Sequence, residues 1–475
     1  MVTYIEDPDS LRFALSVADG FDLAALQPHF PGYPVFWGVV NPWYLLTRRF
    51  AVAFALTGVL ATVALVGAGL ALLRTPLRSA RGAAWALAVL LCPLVWLMST
   101  RYMPDLLGLA VALATVACAL HALDARRGDY AVAAGLLAGT LAGLRLSYLP
   151  FVLSPLLALG LRPKQSLPLV AGGLTAAAVW LVPLIADTGW TALIAAAQQQ
   201  TVGHFTEFGG TVLAEDAALD QRLVRAVQSV WADGLGGWWV GRHPLTGLAS
   251  GGLMLALLVG GRVVAATARA HDVARRTVNW LVLCAATYGV WMVLYQNVIY
   301  KSRHALPLIA LALLVIAVGA AALWTRKGAA QLARRVAVVV GFAAVALVTA
   351  TLALQHRQPT AIAQAAEHVR TQVSEHPDLH LVTTPLVRFT LAAQGIDATY
   401  LDPGDDRDRE QMDSLQAVPV LSIGAPLGDA DRGDRALARA DTFYHNPYVN
   451  RMWAVLPVFA YAPIPTTDSI SQSDD

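Results

Sequence analysis

Long apolar runs dominate the chain up to about residue 355, and charged residues fall between these runs. A helix needs about 20 apolar residues to cross the hydrocarbon core of a membrane. The runs at 130–144 and 147–161 are short and adjacent, which favours broken or tilted helices there. The pattern predicts about ten membrane-spanning helices, at residues 50–73, 83–99, 105–123, 130–144, 147–161, 167–186, 245–261, 278–299, 304–324 and 336–354.

Basic residues alternate between the loops that join these predicted spans. Lys and Arg concentrate on the cytoplasmic side of membrane proteins, so every second loop is expected inside. The remaining segments are acidic, aromatic or long, which places 1–48, 187–244 and the C-terminal tail on the outer face of the cytoplasmic membrane. The basic loops contain Arg74, Arg78, Arg81, Arg126, Arg127, Arg162, Lys164, Arg262, Arg269, Arg275, Arg276, Arg326, Lys327, Arg334 and Arg335.

Composition agrees with a chain whose main solvent is lipid. With 56% hydrophobic and 14% charged residues, the chain lacks the polar surface that a soluble globule of this size needs. A formal net charge of +2 gives no basis for a nucleic-acid partner, because phosphate binding needs clustered Lys and Arg. The three cysteines lie inside apolar runs and show no metal-ligand spacing.

The chain changes character from about residue 356 and becomes rich in Asp, Arg, Gln and Pro. The short apolar runs "LHLVTTP" and "VPVLSIG" predict strands, and "PTAIAQAAEHVRTQV" predicts a helix. The polar end, "TTDSISQSDD", is expected to be disordered. The predicted fold is an all-α polytopic membrane bundle over 49–355, preceded by an outer segment 1–48 and followed by a C-terminal extracytoplasmic α/β domain, 356–475.

The outer segment 1–48 contains two unusual stretches. "EDPDSLRFALSVADGFD" predicts an amphipathic helix with Asp9 or Ser10 as its N-cap and Gly20 at its end. Asp7 and Asp9 then either cap this helix or hold a carboxylate at the membrane surface, where it can act as a general base. "QPHFPGYPVFWGVVNPW", which contains Tyr33, is typical of an interfacial aromatic belt with a rigid turn.

Three further motifs lie at predicted span ends on the same face: "STRYMPDLLGL" with Arg101 and Asp105, "GLRLSYLP" with Arg145, and "YKSRHALPLIAL" with Lys301 and Arg303. An Asp at a helix start is often a dipole partner, and Arg or Lys at a membrane edge is often a headgroup anchor. The same groups would serve as a site acid and as phosphate-binding cations. The long loop 187–244, which contains His204, is suited to a lid or an acceptor platform, but long loops are also where sequence changes are tolerated without a function.

Taken together, these motifs resemble the GT-C superfamily, polytopic glycosyltransferases that use polyprenyl-phosphate-linked sugars and include protein O-mannosyltransferases and aminoarabinose transferases. The family pattern D-E-x-R-Y-A is similar to "DSLRFA" at residues 9–14, where Ser10 stands in place of Glu. "TRYMPDLLGL" resembles T-R-Y-x-x-x-D-x-x-L, shortened by one residue, and "SRHALPLIA" resembles P-R-Y-L-L-P-L-L-P. The resemblance covers roughly residues 1–325.

The resemblance implies an inverting hexosyl or pentosyl transferase that moves a sugar from a polyprenyl-phosphate donor to a glycan, lipid or protein acceptor. It implies Asp9 as the catalytic base, with Asp7 or Glu6 replacing the second acid of the pattern, and Asp105 as the acid facing the sugar. The substrate-binding residues would be Arg303 first, for the leaving phosphate, then Lys301, Arg145, Arg101, Tyr33 and His204. Asp7, Asp9 and Asp105 would hold Mg²⁺ or Mn²⁺ only if folding brings them together.

Two other functions fit part of the pattern. A transporter or flippase for a lipid-linked molecule would also have an aromatic rim, but it usually carries charged residues near the midplane of its spans. An inactive scaffold with the same fold is the other alternative, because Ser10 replaces the usual Glu. Enzymes of this superfamily begin with an inner helix, so we expect either an upstream start or a translocated N-terminal segment, and favour the former.

Overall fold

The computed structural model describes residues 2–207, 210–214, 218–414, 418–433 and 435–463. The chain divides into two units. A helical unit contains Met1–Thr3 and Arg12–Arg357, and a second unit contains Tyr4–Leu11 and Gln358–Asp475.

The first part of the chain is helical over most of its length. Short 3-10 turns lie at Leu146–Tyr148 and Ser302–Ala305, and π-helical turns lie at Gly203–Glu207 and Ser229–Gly234. The helices are α1 (Pro8–Ala18), α2 (Pro34–Thr47), α3 (Phe50–Leu73), α4 (Ala80–Leu91), α5 (Pro93–Thr100), α6 (Asp105–Ala125), α7 (Gly128–Leu144), α8 (Leu149–Gly160), α9 (Pro163–Thr188), α10 (Trp190–Val202), α11 (Leu219–Gln228), α12 (Leu245–Ala270), α13 (Asp272–Tyr295), α14 (Leu306–Thr325) and α15 (Gln331–Gln355).

The predicted multi-pass architecture is confirmed. Among the described residues, seven helical segments are long and apolar enough to cross a membrane, and the pair α4 and α5 would form an eighth span. This pair bends by 61° where Pro93 starts a new helix and cannot donate a backbone hydrogen bond. The predicted short runs correspond to α7 and to Leu146–Gly160. Each of the ten predicted spans therefore has a helix or helix pair.

Glycines allow some of these helices to approach closely. A Cβ atom at Gly135 of α7 would lie 2.0 Å from the carbonyl oxygen of Leu169 in α9. A Cβ atom at Gly260 of α12 would lie 2.1 Å from the carbonyl oxygen of Val315 in α14. Lipid tails are as apolar as leucine, so membrane helices associate through close van der Waals packing of small residues. Backbone contact at these glycines therefore holds the helix pairs together.

One predicted helix cap was wrong, and the helices of one segment were not predicted. Helix α1 begins at Pro8, and the cap is Asp7 rather than Asp9 or Ser10, because the Asp7 Oδ1 atom accepts a hydrogen bond of 2.8 Å from the Ser10 amide. The described residues of the segment 187–244 are mostly helical, which was not predicted. Its Ala- and Gln-rich stretch forms α10, since both residue types favour helices.

The second unit is the predicted small α/β fold. Its described residues form five strands in one sheet: β1 (His380–Val382), β2 (Thr399–Leu401), β3 (Val420–Ile423), β4 (Arg435–Tyr444) and β5 (Val455–Pro463). The sheet order is β2-β1-β3-β5-β4; β1 pairs in parallel with β2 and β3, and β5 runs antiparallel to β3 and β4. Both predicted strands and the predicted helix are present, whereas the expected disorder of 466–475 lies outside the described residues. The helices among these described residues are α16 (Ala361–Glu375), α17 (Pro385–Ala392), α18 (Asp406–Ser414) and α19 (Asp429–Arg432).

The N-terminal segment Tyr4–Leu11 belongs to this second unit. The Asn450 side chain donates a hydrogen bond of 3.5 Å to the carbonyl oxygen of Glu6. The main-chain carbonyl oxygen of Asn450 accepts a hydrogen bond of 2.6 Å from the Nε2 atom of His445. The Nδ1 atom of His445 accepts from the first amide of α16, at Ala361. Hydrogen bonds thus connect the start of the chain to the α/β fold.

The glycine contacts give a direct test of helix packing. We expect Gly260→Ala to destabilise the fold by about 2 kcal/mol or more, because the new methyl group forces α12 away from α14. The matched control is Gly261→Ala, whose Cβ meets no atom within 4 Å. Thermal unfolding in detergent measures both variants. Equal melting temperatures for Gly260→Ala and the wild type would show that the helices are not held by this contact.

Candidate active site

Asp105 is the first residue of α6 and is completely buried. A carboxylate at a helix N-terminus is favoured by the helix dipole, which explains why an acid can start a membrane helix. One turn later, Gly108 faces Arg145, and a Cβ atom there would lie 2.7 Å from the Arg145 Cβ. The glycine in the "PDLLGL" motif therefore lets Arg145 approach the acid.

Arg145 sits at the break between α7 and the turn Leu146–Tyr148. Its guanidinium forms an ion pair with Asp105, at 2.9 Å from the Oδ1 atom, and lies over the rings of Tyr33 and Tyr148. Burial alone would lower the pKa of Arg145, but the Asp105 carboxylate and the neighbouring tyrosines raise it above its ordinary value. The guanidinium is therefore charged at every physiological pH.

Arg303 lies in the turn Ser302–Ala305, just before α14 begins at Leu306. Its Nε atom is 3.8 Å from Oδ1 of Asp105, and its side chain is 5% exposed. Its carbonyl oxygen accepts a hydrogen bond of 3.5 Å from the Tyr148 hydroxyl. Two guanidinium groups, from different helix ends, thus approach one carboxylate.

Tyr33 connects this cluster to the aromatic N-terminal stretch. Its backbone adopts the left-handed conformation, with φ of 49°, just before Pro34 starts α2. The Tyr33 hydroxyl lies 3.4 Å from an Arg145 terminal nitrogen and 3.1 Å from the Nε2 atom of His29. The predicted site residue Tyr33 is therefore in direct contact with the predicted cation Arg145.

His204 and Lys301 lie at the same end of the bundle. The His204 Nε2 atom is hydrogen-bonded to the Tyr295 carbonyl oxygen at 2.8 Å, so Nε2 carries the proton. Burial lowers the pKa of His204, the Tyr295 hydrogen bond opposes this, and the charges of Lys301 and Arg145 lower it further. His204 is thus a neutral donor next to two cations.

The remaining predicted residues occupy other positions. Asp7 is buried and caps α1, and Asp9 is half-buried in the first turn of that helix; both belong to the second unit. Arg101 is buried where α5 ends, four residues before Asp105.

Tyr148, Tyr288 and His304 also belong to this cluster, and none of them was predicted as a site residue. Tyr148 and Tyr288 are fully buried and pack edge to face, with ring centroids 5.9 Å apart. The Tyr288 hydroxyl donates a hydrogen bond of 2.7 Å to the carbonyl oxygen of His304, so it fixes the turn that carries Arg303. Tyr288 could have been found because its hydroxyl lies within an apolar run. Tyr148 and His304 could have been found because they lie in the motifs that contain Arg145 and Arg303.

The cluster has polar atoms that no described residue satisfies. The Oδ2 atom of Asp105 and the Nε atom of Arg145 are buried without a hydrogen-bond partner in the described part of the chain. Each such atom costs roughly 1–3 kcal/mol, so a ligand or water that supplies the missing hydrogen bond is favoured. Over the same described residues, no three His, Cys, Asp or Glu side chains are grouped to hold a metal ion.

The lowered pKa of His204 predicts a pH-dependent stability. An unfolded histidine has a pKa of about 6.5, so the unfolded chain takes up this proton first, and stability is lost as the pH falls below about 6.5. We expect His204→Gln, which keeps an amide donor but does not titrate, to reduce this loss. Melting temperatures between pH 7.5 and 5 measure it, and parallel curves for the two proteins would contradict the expectation.

Comparison with known proteins identifies the fold. No family model matches the chain, and no curated relative does. The crystal structure of ArnT from Cupriavidus metallidurans bound to undecaprenyl phosphate is similar over 96% of this chain and 94% of that chain, with a TM-score of 0.53 and 15% identity. The apo structure of the same protein is similar over 97% and 94%, with the same score and identity. The resemblance found in the motifs is therefore confirmed at the level of the fold: this is a multi-pass membrane protein with the architecture of ArnT.

Proposed function

We propose that the protein is an inverting glycosyltransferase that moves a sugar from a polyprenyl-phosphate donor to an acceptor on the outer face of the cytoplasmic membrane. One observation carries the proposal. Arg145 and Arg303 converge on the buried Asp105 at the ends of membrane helices, in a fold shared with a protein whose crystal structure contains undecaprenyl phosphate. A donor with a polyprenyl tail also explains why the site is built at the end of a membrane bundle.

The cations would bind the leaving polyprenyl phosphate. A guanidinium offers several donors in a planar fork that matches phosphate oxygens, and its attraction for them is strong where water is excluded. Arg303, Lys301 and Arg145 would stabilise the negative charge that develops on the phosphate as its bond to the sugar breaks. Asp105 would orient Arg145 and Arg303, and its Oδ2 atom would accept a hydrogen bond from a sugar hydroxyl.

Asp9 would act as the base. Asp7 caps α1 by accepting a hydrogen bond from the Ser10 amide, and Asp9 is half-buried in the first turn of the same helix. Asp9 would take the proton of the acceptor hydroxyl while the acceptor oxygen bonds to the anomeric carbon from the face opposite the phosphate. The sugar–phosphate bond breaks in the same step, which inverts the configuration. Whether the sugar is a hexose or a pentose, and whether Mg²⁺ or Mn²⁺ participates, is tested by the choice of donor and by EDTA treatment in the assay below.

Donor turnover tests the base. Membranes containing the protein are incubated with radiolabelled polyprenyl-phosphate sugars, and we expect Asp9→Asn to lose about 10²–10⁴-fold in rate at unchanged protein level. Asp19→Asn, an exposed acid just beyond α1, is the matched control and should retain full activity. Equal turnover by Asp9→Asn and the wild type would remove Asp9 from the mechanism. If the wild type consumes no donor, a transporter or an inactive scaffold becomes the better account.

Binding of undecaprenyl phosphate tests the cations separately from the chemistry. Losing a hydrogen bond to a charged group costs about 1.5–3 kcal/mol, so we expect Arg303→Gln to weaken binding by roughly 10–100-fold. Arg326→Gln, at the opposite end of α14, is the control. Native mass spectrometry of the purified protein measures both. An unchanged affinity in Arg303→Gln would exclude Arg303 as a phosphate ligand.

A further inference from the structure

The C-terminal end of α13 leads directly into the segment that carries Lys301 and Arg303. The last carbonyl groups of a helix have no amide partners within that helix, and they need donors from elsewhere. At this end, the carbonyl oxygens of residues 293–296 all receive hydrogen bonds from residues 204–222. This set of contacts is not explained by the proposed catalytic roles.

Arg222 of α11 supplies the central contacts. Its side chain is 0% exposed, and its Nε atom donates to the Val293 carbonyl oxygen at 2.7 Å. A terminal nitrogen of the same guanidinium donates to the carbonyl oxygens of Gln296 at 2.8 Å and Gly210 at 2.7 Å. A buried cation is stabilised here by three carbonyl groups and by the negative end of the α13 dipole. One side chain therefore joins α11, the segment at Gly210 and the end of α13.

Two neighbouring contacts complete the attachment. The Val212 amide donates to the Leu294 carbonyl oxygen at 3.0 Å, and the His204 Nε2 atom donates to that of Tyr295 at 2.8 Å. Gly210 has a φ of +86°, and a Cβ atom there would lie 2.5 Å from the Asn297 side chain. Only glycine fits at this position, since both the conformation and the space exclude a side chain.

The chain continues from this attachment to the site cations. The Oδ1 atom of Asn297 accepts a hydrogen bond of 3.1 Å from the Tyr300 amide, and its carbonyl oxygen accepts one of 3.1 Å from the Lys301 amide. Arg303 follows in the next turn. The position of the cation-bearing segment therefore depends on where the end of α13 and Asn297 are held.

We infer that Arg222 is a positioning residue that fixes residues 297–303 and thereby the phosphate-binding cations Lys301 and Arg303. The role in substrate binding rests on the proposed function, whereas the structural order of 297–303 does not. Arg222 acts on this segment through backbone carbonyl groups and is a positioning residue, not a catalytic one. A lysine in its place keeps the charge but loses the guanidinium fork, which binds several acceptors in one plane.

Hydrogen–deuterium exchange of the full-length protein in detergent tests the inference. We expect Arg222→Gln and the milder Arg222→Lys to raise amide exchange at 297–303 at least ten-fold. Both should also weaken undecaprenyl phosphate binding at least five-fold. Arg225→Gln is the matched control, because Arg225 is an exposed residue of the same helix that contacts Gln228. If Arg222→Gln does not fold, Arg222→Lys carries the test alone.

The two measurements separate the possible failures. Unchanged exchange at 297–303 in the Arg222 variants would overturn the inference, whatever the ligand does. Raised exchange at 297–303 with unchanged affinity for undecaprenyl phosphate would overturn the inference that Arg222 positions the phosphate-binding cations. If the wild type itself does not bind undecaprenyl phosphate while Arg222→Lys raises exchange at 297–303, the proposed function fails and Arg222 remains the residue that orders this segment.

Discussion

The ion pair between Asp105 and Arg145 is the interaction on which the candidate site depends. Both groups are buried, and removing charges from water is costly unless each is paired and hydrogen-bonded. The cluster of Asp105, Arg145 and Arg303 forms because three chain breaks meet: the start of α6, the break after α7, and the turn before α14. Tyr33 and Tyr148 cover the Arg145 guanidinium with their rings, and Tyr288 holds the turn of Arg303. The cluster is therefore a meeting of helix ends rather than a feature of any one helix.

Helix packing sets how accurately these ends meet. In a membrane, helices gain nothing from excluding water, and backbone contact at glycines replaces the hydrophobic effect as the source of specificity. The contact of Gly260 with the backbone of α14 lies at Val315 and constrains the helix that Arg303 precedes. At the other end of the site, the carbonyl groups of α13 are held by α11. The segment that carries Lys301 and Arg303 is therefore held at one end by the packing of α14 and at the other by the end of α13.

Much of the fold could be predicted from sequence, because membrane spans depend on local composition. Motifs at span ends led to the selection of Asp105, Arg145 and Arg303. Their contact with one another depends on how the helices pack, which the spacing of residues along the sequence does not determine. The helices within 187–244 were missed, since that segment was assessed by its outer position and its glycines rather than by the propensity of its Ala-rich stretch. The cap at Asp7 was misplaced by two or three residues, because Asp7, Asp9 and Ser10 are all good N-caps.

The second unit contains both Tyr4–Leu11 and the last part of the chain, and its Asn450 contacts Glu6 across 444 residues of sequence. A ribosome makes the acidic segment well before its packing partners. During synthesis, the membrane helices are therefore complete before the segment that carries Asp7 and Asp9 has the surface it packs against. A chain shortened by proteolysis or premature termination would keep its membrane helices and lose the surface against which this acidic segment packs.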